Sequence, residues 1–166
     1  MCIRDRTVSV FYLQNCLHHF SNPIQFFKEM DRVLKPGGGA IILEPYYGVI
    51  AEFLYKRLFS TEGFDKNSLS WETVSDGPMN GANQALSYLI FHRDRKIFLE
   101  MFQNFEITDQ IILTNYIKYL ASGGLNFRQI LPDVMNGFIS AIELCLSPLR
   151  SILGLHHITV IRKNVK

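Results

Sequence analysis

The chain has 166 residues, enough for one domain with a genuine hydrophobic core. Apolar residues make up 48% and charged residues 19%, which excludes a disordered chain. The formal net charge is +2 and the basic residues are scattered, apart from Arg162, Lys163 and Lys166 at the tail, so there is no electrostatic footprint of a nucleic-acid binder.

Val8 to Leu13 (VSVFYL) is almost continuously apolar and rich in β-branched and aromatic residues. That pattern predicts a strand buried on both faces, as in a parallel sheet. A helix follows. Asn22 suits the N-cap, Pro23 the first helical position and Gln25 the capping-box position. Phe26, Phe27, Met30, Val33 and Leu34 form its apolar stripe. Lys35, Pro36, Gly37 and Gly38 stop it. Ala40 to Leu43 predicts a second buried strand, and the three glycines before it read as a turn.

Strand, helix and strand make a βαβ unit with parallel strands and a right-handed crossover. In open α/β sheets, ligands bind beyond the carboxyl ends of the strands. Those ends are Gln14 to His19 and Glu44 to Tyr47, so two distant loops are expected to line one cleft. His18 and His19 either fill the loop or offer a general base. Adjacent histidines point apart, so no metal site is expected. Glu44 either caps a helix starting near Tyr46 or serves in catalysis.

Val49 to Phe59 predicts another helix. Ser60 to Ala82 is polar and irregular, with Gly63, Gly77, Pro78 and Gly81, and reads as a substrate-side lid. Trp71 in it either covers a ligand or packs onto the domain. Gln84 to Ile90 is expected to be helical. So is His92 to Phe102, with Ile97, Met101 and Phe102 inward and Arg93 to Lys96 solvated; His92 and Arg93 there could place a base and a cation near the cleft. Phe105 to Leu113 predicts a strand, and Tyr116 to Ser122 a short helix closed by Gly123 and Gly124. Asn136 to Leu146 predicts a helix broken by Pro148, and His156 to Ile161 the last strand, with His156 and His157 as packing. Phe138 to Leu155 reads as core or acceptor pocket, with contact at a lipid surface as the alternative.

Cys2, Cys16 and Cys145 are an odd count with no CxxC, against a disulfide framework or zinc site and in favour of a reducing, cytoplasmic setting. No apolar run approaches the roughly 20 residues of a membrane span.

Asn15 to Pro45 (NCLHHFSNPIQFFKEMDRVLKPGGGAIILEP) resembles class I S-adenosylmethionine-dependent methyltransferases. WETVSDGPMNGANQAL, IFHRDRKIF and YLASGGLNF extend the resemblance, to a bacterial subgroup linked with surface-polysaccharide or lipid modification. The resemblance implies an α/β, partial Rossmann-like fold. Its mixed sheet would hold strands four to seven of seven, with a helical insert (Asn115 to Leu155) before an antiparallel last strand. It implies S-adenosyl-L-methionine as cofactor, bordered by Asn15, Cys16 and Leu17. His18 and Glu44 become the catalytic candidates. His19, Tyr46, Tyr47, Trp71, His92 and Arg93 become the substrate-binding ones. A small-molecule, sugar or lipid acceptor is implied, with no nucleic acid.

The family's glycine-rich cofactor loop has no counterpart here, since Gly37 to Gly39 precede a strand. MCIRDR ahead of the first strand reads as a non-native leader. The expectation is one N-terminally truncated domain over 1–166: a βαβ-helix unit at 7–59, a lid and helical region at 60–104, and C-terminal strands with the insert at 105–166. Alone, it would be inactive and poorly soluble or dimeric through the exposed Val8 to Leu13 edge. Two alternatives stand beside the enzyme: a non-catalytic remnant that binds a partner, and a nicotinamide-dependent oxidoreductase, whose GxGxxG fingerprint is missing.

Overall fold

The computed structural model describes residues 3–58, 62–74, 82–123 and 128–165. Phe59, Ser60, Gly77, Pro78, Gly81 and Gly124, named above, lie outside the described residues.

Among the described residues, four strands form one sheet: β1 (Val8–Gln14), β2 (Leu34–Pro45), β3 (Phe105–Ile112) and β4 (His156–Lys163), in the order β1-β2-β4-β3. β1 and β2 are parallel, and β4 runs antiparallel between β2 and β3. This is the mixed, Rossmann-like sheet expected from the sequence.

The crossover from β1 to β2 is α1 (Pro23–Val33). Its start follows from local chemistry: Asn22 Oδ1 accepts a hydrogen bond from the Gln25 amide at 2.8 Å. α1 buries Phe27, Met30 and Val33. Phe27 meets Phe98 edge-on, with ring centroids 5.0 Å apart, and Phe91, Phe98 and Phe102 complete an aromatic core.

The glycine run is not a turn between elements. β2 begins at Leu34, directly after α1, and carries the glycines as a bulge: Val8 pairs with Leu34 but Val10 with Gly39. Gly37 has φ +76°, and a Cβ on Gly39 would collide with the Ile161 carbonyl oxygen.

The both-faces prediction for the first strand fails. Leu13 is buried, but Val10 and Tyr12 are 60% and 62% exposed, and Ile41 and Ile111 are exposed as well. Among the described residues, β1 lies at the edge of the sheet.

The second half differs from expectation in helix phase. α2 (Val49–Leu58) is as predicted. The segment at 86–101 is not one helix. α3 (Leu86–Tyr88) runs into a π-helical turn over Leu89–Arg93, then α4 (Arg95–Met101) restarts after Asp94. The π turn inserts extra arc, so Phe98 and Phe102 face inward while Ile97 and Met101 are exposed. Trp71 is core and not a lid cover. It is 7% exposed, packs near Phe98, and donates from Nε1 to Asp94 Oδ2 at 2.8 Å.

The insert holds α5 (Tyr116–Ala121), α6 (Asn136–Cys145) and α7 (Arg150–Leu153), with Pro148 in a 3₁₀ turn between the last two. Ile139 and Leu155 are buried, but Phe138, Leu144, Leu149 and Ile152 are exposed, so this stretch is only partly core. Among the described residues, no helix is long and apolar enough to cross a membrane.

Candidate active site

The sheet topology brings three chain segments to one edge. Gln14 pairs with Leu43, Glu44 with His157, and Pro45 with His156. The ends of β1 and β2 and the start of β4 therefore lie side by side, and the predicted convergence of the first two loops is present.

β1 leaves the sheet at Asn15, whose amide still donates to the Leu43 carbonyl at 2.8 Å. Asn15 has φ +48°, a left-handed conformation that asparagine tolerates better than most residues. The chain then closes a 3₁₀ turn at Leu17–His19. Glu44 holds that turn in place. Its Oε1 accepts from the amides of Cys16 (3.0 Å) and Leu17 (2.8 Å), and its Oε2 accepts from His18 Nδ1. Glu44 is 1% exposed. It caps the turn after β1, therefore, and not a helix near Tyr46.

Glu62 closes the cluster from the other side. Its Oε2 lies 3.5 Å from His18 Nε2, and its Oε1 lies 3.8 Å from His19 Nε2. The His18 and His19 rings sit 4.3 Å apart and both meet this carboxylate. The premise that adjacent histidines point apart does not hold here, because the tight 3₁₀ turn keeps both rings on one side. Burial opposes charge on His18, but the carboxylates of Glu44 and Glu62 outweigh it and push its pKa up to about 9. The two carboxylates thus favour the protonated form of this imidazole. Burial and the His18 charge lower the pKa of His19.

A second group of side chains continues the edge. Tyr47 sits among Tyr46, Tyr88, His92 and His157, with ring centroids 4.6 to 5.4 Å away. His157 is 2% exposed, with Nε2 2.8 Å from Ser87 Oγ. Burial, followed by the neighbouring His156 and His92, lowers its pKa to about 4. Burial likewise lowers His156 to about 4 and pushes the Tyr47 hydroxyl up to about 12. Beyond His156 lies Tyr119, edge-on at 4.4 Å, on the wall of an open groove of about 440 Å³. Asn115, Lys118, Gln129 and Asp133 also line that groove.

Thus the structure gathers Asn15, Cys16, Leu17, His18, His19, Glu44, Tyr46, Tyr47 and His92 along one edge. Trp71 and Arg93 serve the scaffold instead. Arg93 pairs with Asp94 at 2.7 Å and donates to the carbonyls of Lys66 and Ser68, pinning the 62–74 loop. Glu62, Ser87 and Tyr88 were missed, whereas His157, read as packing, is buried at the strand edge. The strand register is the signal for His157, since an antiparallel last strand must start where β2 ends. Nothing in the sequence singles out Glu62.

The sequence model of the methyltransferase domain matches residues 1–42. No curated protein matches the chain. Among solved structures, a SAM-dependent methyltransferase from Archaeoglobus fulgidus is 12% identical, with a TM-score of 0.49. That match covers 98% of this chain and 62% of the other. An S-adenosylmethionine-dependent methyltransferase from Mesorhizobium loti is 10% identical, with a TM-score of 0.49 and coverages of 98% and 65%. Phosphoethanolamine N-methyltransferase 2 of Haemonchus contortus, in complex with S-adenosyl-L-methionine, is 13% identical, with a TM-score of 0.43 and coverages of 96% and 34%. The chain spans less than two thirds of the length of these structures. Residues 1–42 are therefore similar to the methyltransferase domain family.

Proposed function

We propose that the protein takes part in methyl transfer from S-adenosyl-L-methionine to a small-molecule, sugar or lipid acceptor. The observation that carries the reading is Asn15, inside the family-matched segment. Its side-chain Oδ1 is buried at the strand edge and has no hydrogen-bond partner. An orphaned buried acceptor is costly unless something donates to it. The cofactor's ammonium and ribose hydroxyls are such donors, so the residues present fit one side of its site. Asn15, Cys16 and Leu17 would hold that side.

When bound, the cofactor supplies an electrophilic methyl group, so the protein's work is mostly alignment and exclusion of water. Glu44 fixes the cofactor-side turn through the Cys16 and Leu17 amides. His18, held protonated between carboxylates, is a positioning residue in this reading and not the base. Tyr46, Tyr47 and His92 face the acceptor in this reading. The exposed Phe138, Leu144, Leu149 and Ile152 favour an acceptor with an apolar portion.

The test is a 15N NMR titration of the chain with S-adenosylhomocysteine. Saturable shifts are expected at the Asn15, Cys16 and Leu17 amides, and Asn15→Ala should weaken binding about 5- to 30-fold, the loss of one to two kcal/mol of hydrogen bonding. Shifts scattered elsewhere, or none at millimolar ligand, would remove the cofactor site. Tritium from labelled cofactor, followed into lipid and sugar fractions by the longest gene product that contains this chain, then separates the acceptor classes.

A second reading has its own observation. β1 is an edge strand with Val10 and Tyr12 exposed, which suits pairing with another strand. A partner-binding module would use that edge. Sedimentation velocity is expected to show self-association that Val10→Lys abolishes. A strictly monomeric wild-type chain would count against it.

A further inference from the structure

His18, His19 and Glu62 form the one cluster of at least three potential metal ligands among the described residues, and their ligand atoms all lie within 4.8 Å of one another. Three features separate this cluster from an ordinary ion pair. The first is spacing. Ligands bonded to zinc at 2.0 to 2.2 Å in a tetrahedron stand about 3.3 Å apart. The two gaps, 3.5 Å from His18 Nε2 to Glu62 Oε2 and 3.8 Å from His19 Nε2 to Glu62 Oε1, are longer than good hydrogen bonds and near that separation, each to its own carboxylate oxygen.

The second feature is what lies behind the ligands. His18 turns Nδ1 to Glu44 Oε2, which leaves Nε2 aimed at Glu62. A carboxylate behind a histidine is the usual outer partner of a metal ligand, fixing both tautomer and ring orientation. Glu44 is itself fixed by the Cys16 and Leu17 amides, so the ring is held from two sides. The third feature is His19. Its ring lies 4.3 Å from that of His18 and turns Nε2 to the same Glu62 carboxylate, while its Nδ1, buried with no hydrogen-bond partner, has no outer group behind it. The side chains of His19 and Glu62 each keep about a fifth of their surface exposed, which gives an ion a way in.

We propose that His18, His19 and Glu62 bind a divalent first-row transition metal through two imidazole nitrogens and one carboxylate, the ion displacing the His18 Nε2 proton to solvent while Nδ1–H stays hydrogen-bonded to Glu44. Two histidines and one glutamate form a known zinc ligand set that keeps one position open. The open position would take an oxygen or nitrogen ligand at the sheet edge, close to the Asn15–Leu17 turn. Glu44 is a positioning residue for His18.

The test titrates the purified, metal-stripped chain with zinc chloride by calorimetry. One equivalent is expected to bind. His19→Ala and Glu62→Gln, both at part-exposed positions, should each weaken binding more than tenfold. Glu44→Gln should weaken it 10- to 100-fold, as loss of an outer partner does. Circular dichroism checks that each variant is folded. Should a variant fail to fold, cobalt bound to the wild-type chain decides the matter: visible d–d bands without a thiolate charge-transfer band are expected. The proposal is overturned by no saturable zinc uptake, by binding that survives both His19→Ala and Glu62→Gln, or by a thiolate band pointing to the cysteines. None of these readouts involves methyl transfer, so the site can fail while the proposed function stands, and the reverse.

Discussion

Glu44→Ala is expected to destabilise the chain by about 3 to 5 kcal/mol, the cost of breaking a buried ion pair by removing one partner. The carboxylate is 1% exposed and serves three donors at once: the Cys16 amide, the Leu17 amide and His18 Nδ1. Alanine offers none of them an acceptor, and the site admits little water to replace it. Two amide donors would be left short of partners, each a cost of about 1 to 3 kcal/mol if water cannot reach it. A drop in Tm of roughly 10 °C follows for a domain of this size.

Glu44→Gln separates hydrogen bonding from charge. The glutamine Oε1 can still accept from the two amides, while its Nε2 now presents a donor to His18 Nδ1. His18 must then give up the proton on Nδ1 or turn its ring. A smaller loss, about 1 to 2 kcal/mol, is expected. Urea midpoints at pH 7 measure all three proteins. A Glu44→Ala cost below about 1 kcal/mol would mean that the turn is held by something other than this carboxylate.

The turn also shows how far sequence reading carries. Local signals were legible wherever local chemistry decides: Asn22 and Pro23 open α1 as predicted, and apolar runs or partial alternation marked the described strands. The mixed sheet followed from the resemblance, and the convergence of the two loops from strand direction alone. Three failures share one cause. The outward faces of Val10 and Tyr12, the phase of Ile97 and Met101, and the meeting of Glu62 with His18 are all set by tertiary packing. A two-face apolar strand is a statement about what covers it, and the strand's own residues do not carry that information. A π turn has no strong sequence mark. Glu62 sits in an irregular segment, 44 positions after His18 in the chain, and spacing carries no information across such a loop.

The second large effect is on acid stability, and its source is β4. His156 and His157 open that strand at 4% and 2% exposure, each with a folded pKa of about 4, lowered first by burial. In the unfolded chain both return to about 6.5. Between these values the unfolded chain takes up protons that the folded one refuses, so stability rises with pH across that window. The contribution is fully present above about pH 6.5 and is lost as pH falls to about 4. His157 alone accounts for about 3 kcal/mol over that range. Its neighbours give a new charge no help: Ser87, Tyr46 and Tyr47 are neutral, His156 is next to it, and His92 faces Tyr47 from α3's π-helical extension. His19, also lowered, acts in the same direction, whereas His18 is already protonated in both states below pH 6.5. Urea midpoints taken every half unit from pH 7.5 to 4.5 should therefore fall steadily below 6.5, before most carboxylates begin to titrate. His157→Asn should lose stability at pH 7.5 yet show a visibly flatter slope below 6.5, because asparagine has no proton to gain. A wild-type profile that stays level from 6.5 to 5 would show that the β4 imidazoles are not buried neutral.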